Sequence, residues 1–131
     1  MKKVVDIIFK VVLTLILVMP ILGLTGLFPE PTADMYNTPE AFQFIQLLME
    51  SKYIMYLDSL IFVVSAVLLW TGREALAALL LLPVTVNIVG FHAFLDGGLF
   101  TGGAVMGNVM LLLNAYFLWK GCDKYKPLFS K

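Results

Sequence analysis

The stretch ALAALLLLPVTVNIVGFHAFL, residues 75–95, decides the fold of this chain. It runs for 21 residues between Glu74 and Asp96 without a charged side chain. An α-helix needs about 20 mostly apolar residues to cross the hydrocarbon core of a bilayer. The run is continuously apolar rather than alternating, which excludes the pattern of a β-barrel strand. We therefore expect residues 75–95 to form a transmembrane helix.

Other apolar runs extend this pattern over the whole chain. Three further charge-free windows, of 19, 14 and 23 residues, cover residues 11–29, 59–72 and 97–119. The 14-residue window reaches spanning length if its helix begins near Tyr53 and carries Asp58 inside it. We predict an all-α membrane protein, a four-transmembrane-helix bundle that forms a single domain over residues 1–131. The predicted spans are residues 7–27, 53–71, 75–95 and 103–120.

The composition supports this class and excludes several functions. Apolar residues make up 60% of the chain and charged residues 14%, whereas soluble domains average about 45–50% and about 25%. Nine basic residues balance nine acidic ones without a basic stripe, so we expect no nucleic-acid partner. The single cysteine, Cys122, excludes an internal disulfide or a two-cysteine relay. The single histidine, His92, makes a poor zinc site and cannot supply two haem ligands, so we predict no metal site.

The distribution of basic residues predicts the orientation in the membrane. With four spans, both termini lie on the same side as the loop at residues 72–74. That side carries eight basic residues: Lys2, Lys3, Lys10, Arg73, Lys120, Lys124, Lys126 and Lys131. The other side carries only Lys52. Positive residues accumulate on the cytoplasmic side, so we expect a multi-pass protein of a bacterial-type inner membrane with both termini in the cytoplasm.

The long connection between the first two spans contains a helix start. Thr38 suits an N-cap, Pro39 the first helical position and Glu40 the first turn. The residues that follow are mostly apolar, with Gln43 and Gln46 interspersed. Phe42, Ile45 and Met49 are spaced three and four residues apart and share one helix face. We therefore predict a short helix at about residues 39–50, lying at the outer interface or folded over the mouth of the bundle.

Five polar residues in the predicted spans are candidates for ligand binding: Asp58, Asn87, His92, Asp96 and Asn108. Polar groups in hydrocarbon are costly, so each needs a partner or a purpose. His92 and Asp96 are four residues apart and share a helix face, and with Asp58 and Asn108 they fall in the outer half of the membrane. Asn87 lies somewhat deeper than the other four and about 140° round the helix from His92. Four packed helices could still bring these groups around one outward-facing cavity. The alternative is that the asparagines join helices by hydrogen bonds, with His92 and Asp96 only capping their helix at the water.

Small and charged residues in the first and fourth predicted helices suggest a role in helix packing rather than in ligand binding. Gly103 and Gly107 form a small-xxx-small pair, and Asn114 lies seven residues further on the same face. This stripe permits close helix packing, either within the chain or between two chains. Lys10 is expected to reach the cytoplasmic surface and to pair with Asp6.

Several of these stretches resemble the DoxX-like family of small membrane proteins. The stretch LPVTVNIVGFHAFLD at residues 82–96 is similar to the third-helix signature of the family. Residues 108–119, NVMLLLNAYFLW, and residues 125–128, YKPL, are similar to its C-terminal part. The order of elements also matches, with Asp58 at a helix start where the family commonly has glutamate. The resemblance covers nearly the whole chain and implies a four-helix membrane fold.

The resemblance also implies a setting for the function. The family's namesake is associated with a membrane-bound, quinone-linked sulfur oxidation system, and relatives are linked to redox homeostasis complexes. We therefore expect an accessory or small-molecule-binding component of a membrane redox system. No cofactor is evident from the residues, and a quinone is the candidate ligand. Expected partners are the lipid bilayer and either other membrane redox proteins or a second copy of the chain.

Two other functions remain open at this point. The chain could be a non-enzymatic scaffold or chaperone that holds partner proteins through the helix at 39–50 and the seam of Gly103 and Gly107. A small transporter ranks third, because four helices are few for alternating access and the sequence shows no internal inverted repeat.

Overall fold

A computed structural model describes all 131 residues and contains only helices and the turns that connect them. The six α-helices are α1 (Lys2–Leu24), α2 (Pro39–Ser51), α3 (Tyr53–Trp70), α4 (Glu74–Phe94), α5 (Ala104–Lys120) and α6 (Cys122–Tyr125). Single 3-10 turns cover Ala33–Met35 and Lys126–Phe129. The predicted all-α class is confirmed.

Three of these helices, α1, α3 and α4, are long and apolar enough to cross a membrane. The fourth long helix, α5, has 17 residues and is about 26 Å long at 1.5 Å per residue. Helix α1 begins five residues before the predicted start at residue 7, because the lysines at its beginning do not break a helix. It ends at Leu24 rather than at residue 27, because the chain turns at Gly26, whose φ of 79° favours glycine.

The four long helices pack into a closed ring. Helix α4 packs against α3 on one side and α5 on the other, and α1 closes the ring by contacting both α3 and α5. The core between them is apolar and includes Leu13, Leu17, Phe62, Leu69, Leu81, Met110 and Phe117. Each long helix also leaves large apolar side chains exposed on its outer face. An apolar exterior of this extent suits contact with lipid rather than water.

Helix α2 lies at one end of this ring, together with the C-terminus of α4. We call this end the α2 end. The Thr38 hydroxyl accepts a hydrogen bond from the Ala41 backbone N–H at 3.1 Å, so Thr38 caps α2 as the sequence predicts. Pro39 occupies the first helical turn. A single residue, Lys52, joins α2 to α3, and its φ of 60° ends α2 before α3 begins as a separate helix.

Candidate functional site

A histidine–carboxylate pair occupies the C-terminus of α4. His92 Nδ1 lies 3.0 Å from Asp96 Oδ2, which confirms that the two side chains share a face. Asp96 is buried, with 3% of its side chain exposed, and His92 is partly buried, with 14% of its side chain exposed. Because a carboxylate only accepts hydrogen bonds, the hydrogen lies on Nδ1. The other ring nitrogen, Nε2, then accepts a hydrogen bond in the neutral ring and donates one in the protonated ring.

The connection before α2 holds the same carboxylate from the other side. The Asn37 backbone N–H donates to Asp96 Oδ1 at 2.8 Å, and the Asn37 side-chain amide donates to the Asp96 carbonyl at 3.1 Å. The Thr38 hydroxyl also donates to the Leu95 carbonyl. A Cβ added at Gly97 would lie 3.1 Å from the Asn37 Cβ, so this approach favours glycine. Asp96 therefore anchors the start of α2 to the end of α4 while it orients His92.

Aromatic rings from the connection, from α2 and from α4 itself pack beside the His92 ring. Tyr36 packs edge-on against Phe91 at 6.4 Å, and Phe44 stacks on Phe91 at 5.7 Å. Phe91 in turn packs against the His92 ring at 5.1 Å. Burial raises the pKa of the Tyr36 phenol, and the Asp96 carboxylate raises it further. Tyr36 is therefore a neutral phenol at physiological pH, and the rings beside His92 carry no charge.

The glycine pair of α5 faces His92 directly. A Cβ added at Gly103 would lie 3.6 Å from His92 Cε1, and one at Gly107 would lie 3.6 Å from His92 Cδ2 and 3.2 Å from Ile88 Cγ2. A Cβ at Gly103 would also lie 3.5 Å from Asp96 Oδ2 and 4.0 Å from His92 Nδ1, so the glycines lie against the imidazole ring and its carboxylate partner. The small-xxx-small seam therefore packs within the chain, and the lack of side chains on the glycines leaves room beside the His92 ring.

That room is part of a cavity of about 230 Å³ between the four long helices. Its lining comprises Ile16, Pro20, Phe62, Ile88, His92, Gly103, Met106, Gly107 and Met110. His92 supplies the only ionisable side chain in this lining. Pro20 and Met106 are exposed, so the cavity reaches the outer surface of the bundle between α1 and α5. Pro20 also has no N–H, so the Ile16 carbonyl in the same wall lacks its usual helical donor.

Three other candidate residues do not line this cavity. Asp58 is half-buried in α3, four residues before Phe62, and forms no hydrogen bond or ion pair. Asn108 donates to the Leu99 carbonyl at 2.7 Å and so holds the turn that precedes α5. Asn87 is exposed on the outside of α4. The structure thus brings together His92 and Asp96 but not the five polar residues that the sequence suggested as one cluster.

Asn114 joins two helices in the core. Its amide donates to the Ala78 carbonyl of α4 at 2.9 Å, and the residue is completely buried. Its Oδ1 has no hydrogen-bond partner, and neither do the buried hydroxyls of Ser65 and Thr85. Asn114 thus acts as an interhelical hydrogen-bond donor, as in the packing alternative.

The opposite end of the bundle carries a charge cluster that the sequence reasoning missed. Lys10 pairs with Glu74 at 2.5 Å, and Lys120 bridges Asp6 at 2.6 Å and Glu74 at 2.8 Å. The Tyr116 hydroxyl donates to Asp6 at 2.5 Å. The expected pair of Lys10 and Asp6 is wrong, because contacts between helices offered both groups better partners. The cluster ties α1, α4 and α5 together and serves packing.

The chemistry available at the candidate site is recognition by one imidazole nitrogen in apolar surroundings. Asp96 fixes the ring, the glycines at 103 and 107 leave room beside it, and the cavity leads out between two helices. In comparisons with protein-family models, curated proteins and solved structures, none matches this chain.

Proposed function

We propose that the chain is a four-span integral membrane protein of the DoxX-like type, in a bacterial-type inner membrane with both termini in the cytoplasm. Helix α5 supports a fourth span, since about 17 residues is the lower limit of observed transmembrane helices. The basic residues support the orientation, because eight of nine lie at or beyond the end opposite α2. In this placement α2 lies at the outer interface, where its amphipathic sequence suits the boundary between lipid and water.

We propose that the protein binds the head group of a membrane quinone in the cavity beside His92. The single observation that carries this proposal is that His92 is the only ionisable side chain in the lining of an apolar cavity. Its Nδ1 is held by the buried Asp96, so Nε2 is the ring nitrogen left for a ligand. Ligand sites are commonly apolar with a few placed polar groups that fix orientation. His92 would be that polar group.

The residues fit such a head group. When His92 is protonated, Nε2 donates a hydrogen bond and suits a carbonyl oxygen. When the ring is neutral, Nε2 accepts one and suits a hydroxyl. A quinone, when bound, carries electrons and protons within the membrane. The chain's own part is to hold the ring and to exchange a hydrogen bond at Nε2.

The size of the cavity limits what it admits. Sites for drug-sized ligands measure roughly 300–1,000 Å³, and this cavity measures about 230 Å³. It suits a single ring, with an attached apolar tail leaving between α1 and α5 into the surrounding lipid. Together with the resemblance to DoxX-like proteins, this favours an accessory, ligand-binding component of a membrane redox system.

Equilibrium binding tests the proposal. The full chain in lipid nanodiscs is titrated with a short-chain ubiquinone analogue by calorimetry, and His92→Phe is compared with the wild type. Phenylalanine keeps an aromatic ring but removes the hydrogen bond, so we expect binding to weaken about tenfold. Leu60→Ala, on the exposed face of α3, is the matched control and should leave binding unchanged. Equal binding by His92→Phe and the wild type would contradict the proposal, as would no binding by the wild type.

A non-enzymatic scaffold or chaperone is the second candidate function. It is favoured by the large apolar side chains exposed at the α2 end, with Leu47 65% exposed, Phe94 89% and Phe100 fully exposed. Affinity purification from native membranes tests this alternative. A protein partner that is recovered at fixed stoichiometry and lost in Phe100→Ser would support it, and its absence would count against it.

A further inference from the structure

Asn87 is an unpaired amide on the outer face of α4. It lies seven residues before Phe94, the last residue of the helix, which places it about 10 Å from that helix end. Its side chain is exposed and forms no hydrogen bond with the rest of the chain. In hydrocarbon, lipid tails cannot satisfy the two donors and the acceptor of an amide. An asparagine in this position therefore requires a partner outside the chain.

The surface around Asn87 allows another helix to approach closely. Pro83, Asn87, Gly90 and Phe94 follow one another at spacings of four, three and four residues, so they form one stripe along α4. A Cβ added at Gly90 would meet nothing within 4 Å, so the stripe has a notch one turn from the amide. Small residues at such positions let helix backbones come together in membranes. Gly107 of α5 cannot serve this role, because it is buried against Ile88 and His92.

We propose that this stripe is the interface of a two-fold symmetric dimer, in which Asn87 of one chain hydrogen-bonds to Asn87 of the other. All copies insert with the same orientation, so the two-fold axis runs along the membrane normal and equivalent residues lie at the same depth. The second copy therefore presents an amide at the depth where the first needs one. An amide carries both donors and an acceptor, so two asparagines satisfy each other. The inference rests on the membrane placement in the proposed function, but not on the quinone.

Cysteine cross-linking tests the position of the interface. Asn87→Cys is made in a Cys122→Ser background, so that it carries the only thiol, and native membranes are oxidised with copper phenanthroline. We expect a disulfide-linked dimer. Leu112→Cys in the same background is the matched control, since it is 70% exposed at a similar depth on α5, and it should remain monomeric. No dimer at position 87, or equal cross-linking at both positions, would overturn the proposal.

The dimer equilibrium in nanodiscs or detergent tests the role of the amide itself. Interhelical hydrogen bonds contribute on average about 0.6 kcal/mol each, which is about threefold in an equilibrium constant. Loss of two such bonds in Asn87→Leu should raise the dimer dissociation constant about tenfold, whereas Asn87→Gln should stay near the wild type. An unchanged constant in Asn87→Leu would overturn the proposal. Quinone binding is measured on the same samples, so a monomeric wild type that still binds quinone refutes the dimer alone.

Discussion

Removal of the Asp96 carboxylate should destabilise the protein more than any other single change at the α2 end. The side chain accepts hydrogen bonds from the Asn37 backbone N–H at 2.8 Å and from His92 Nδ1 at 3.0 Å, and it is almost completely buried. Hydrogen bonds to a charged group contribute about 1.5–3 kcal/mol each. Asp96→Ala removes both hydrogen bonds. Asn37 is exposed, so water can replace part of the lost hydrogen bonding there. We therefore expect a decrease of about 3 kcal/mol in the free energy of unfolding.

Two comparison variants separate this anchor from a general effect of charge. In Asp96→Asn the side-chain oxygen can still accept from Asn37, so only the bond to His92 is weakened and a loss of about 1–2 kcal/mol is expected. Glu50→Ala removes an exposed acid of α2 and should change nothing measurable. The assay is reversible unfolding in mixed micelles, followed by circular dichroism. A loss in Asp96→Ala no larger than that in Glu50→Ala would refute the anchoring role of Asp96.

Three further changes test the packing of the bundle. Gly121→Ala places its Cβ 2.7 Å from the Cβ of Ala75, and overpacking should lower the free energy of unfolding by about 1–3 kcal/mol in the same micelle assay. Gly107→Leu forces a side chain into the 3.2 Å gap to Ile88, so it should push α5 from α4 and abolish quinone binding by calorimetry. Glu74→Gln removes the acid shared by two lysines at the opposite end, and a partly exposed cluster should lose only about 1 kcal/mol. That loss should shrink when unfolding is repeated in 1 M salt.

The sequence predicted the features that depend on local spacing. The pairing of His92 with Asp96 follows from a separation of four residues on one helix, and the cap at Thr38 follows from the residues beside it. The glycines at 103 and 107 identified a close-packed face without identifying which helix fills it. Such features can be predicted because the geometry of a helix alone determines which of its residues share a face.

The features that the sequence did not predict join distant parts of the chain. Asn37 reaches Asp96 across 59 residues, and no periodicity links a loop residue to a helix end. Lys10 lies one turn from Asp6, yet it pairs with Glu74, because ion pairs form with whichever helix packs alongside. The position of each residue along its helix limited which residues could meet, but the rotation of each helix about its axis decided which ones did.

The most direct test of the central claim is nitrogen NMR of the only imidazole in the chain. With ¹⁵N-labelled histidine in nanodiscs, His92 gives the only imidazole signals, and the shifts of Nδ1 and Nε2 report where the hydrogen lies. We predict that the neutral ring carries its hydrogen on Nδ1 and that a short-chain ubiquinone analogue shifts Nε2 while Nδ1 stays hydrogen-bonded to Asp96. A neutral ring with its hydrogen on Nε2, or an Nε2 signal that the quinone leaves unchanged, would contradict the account.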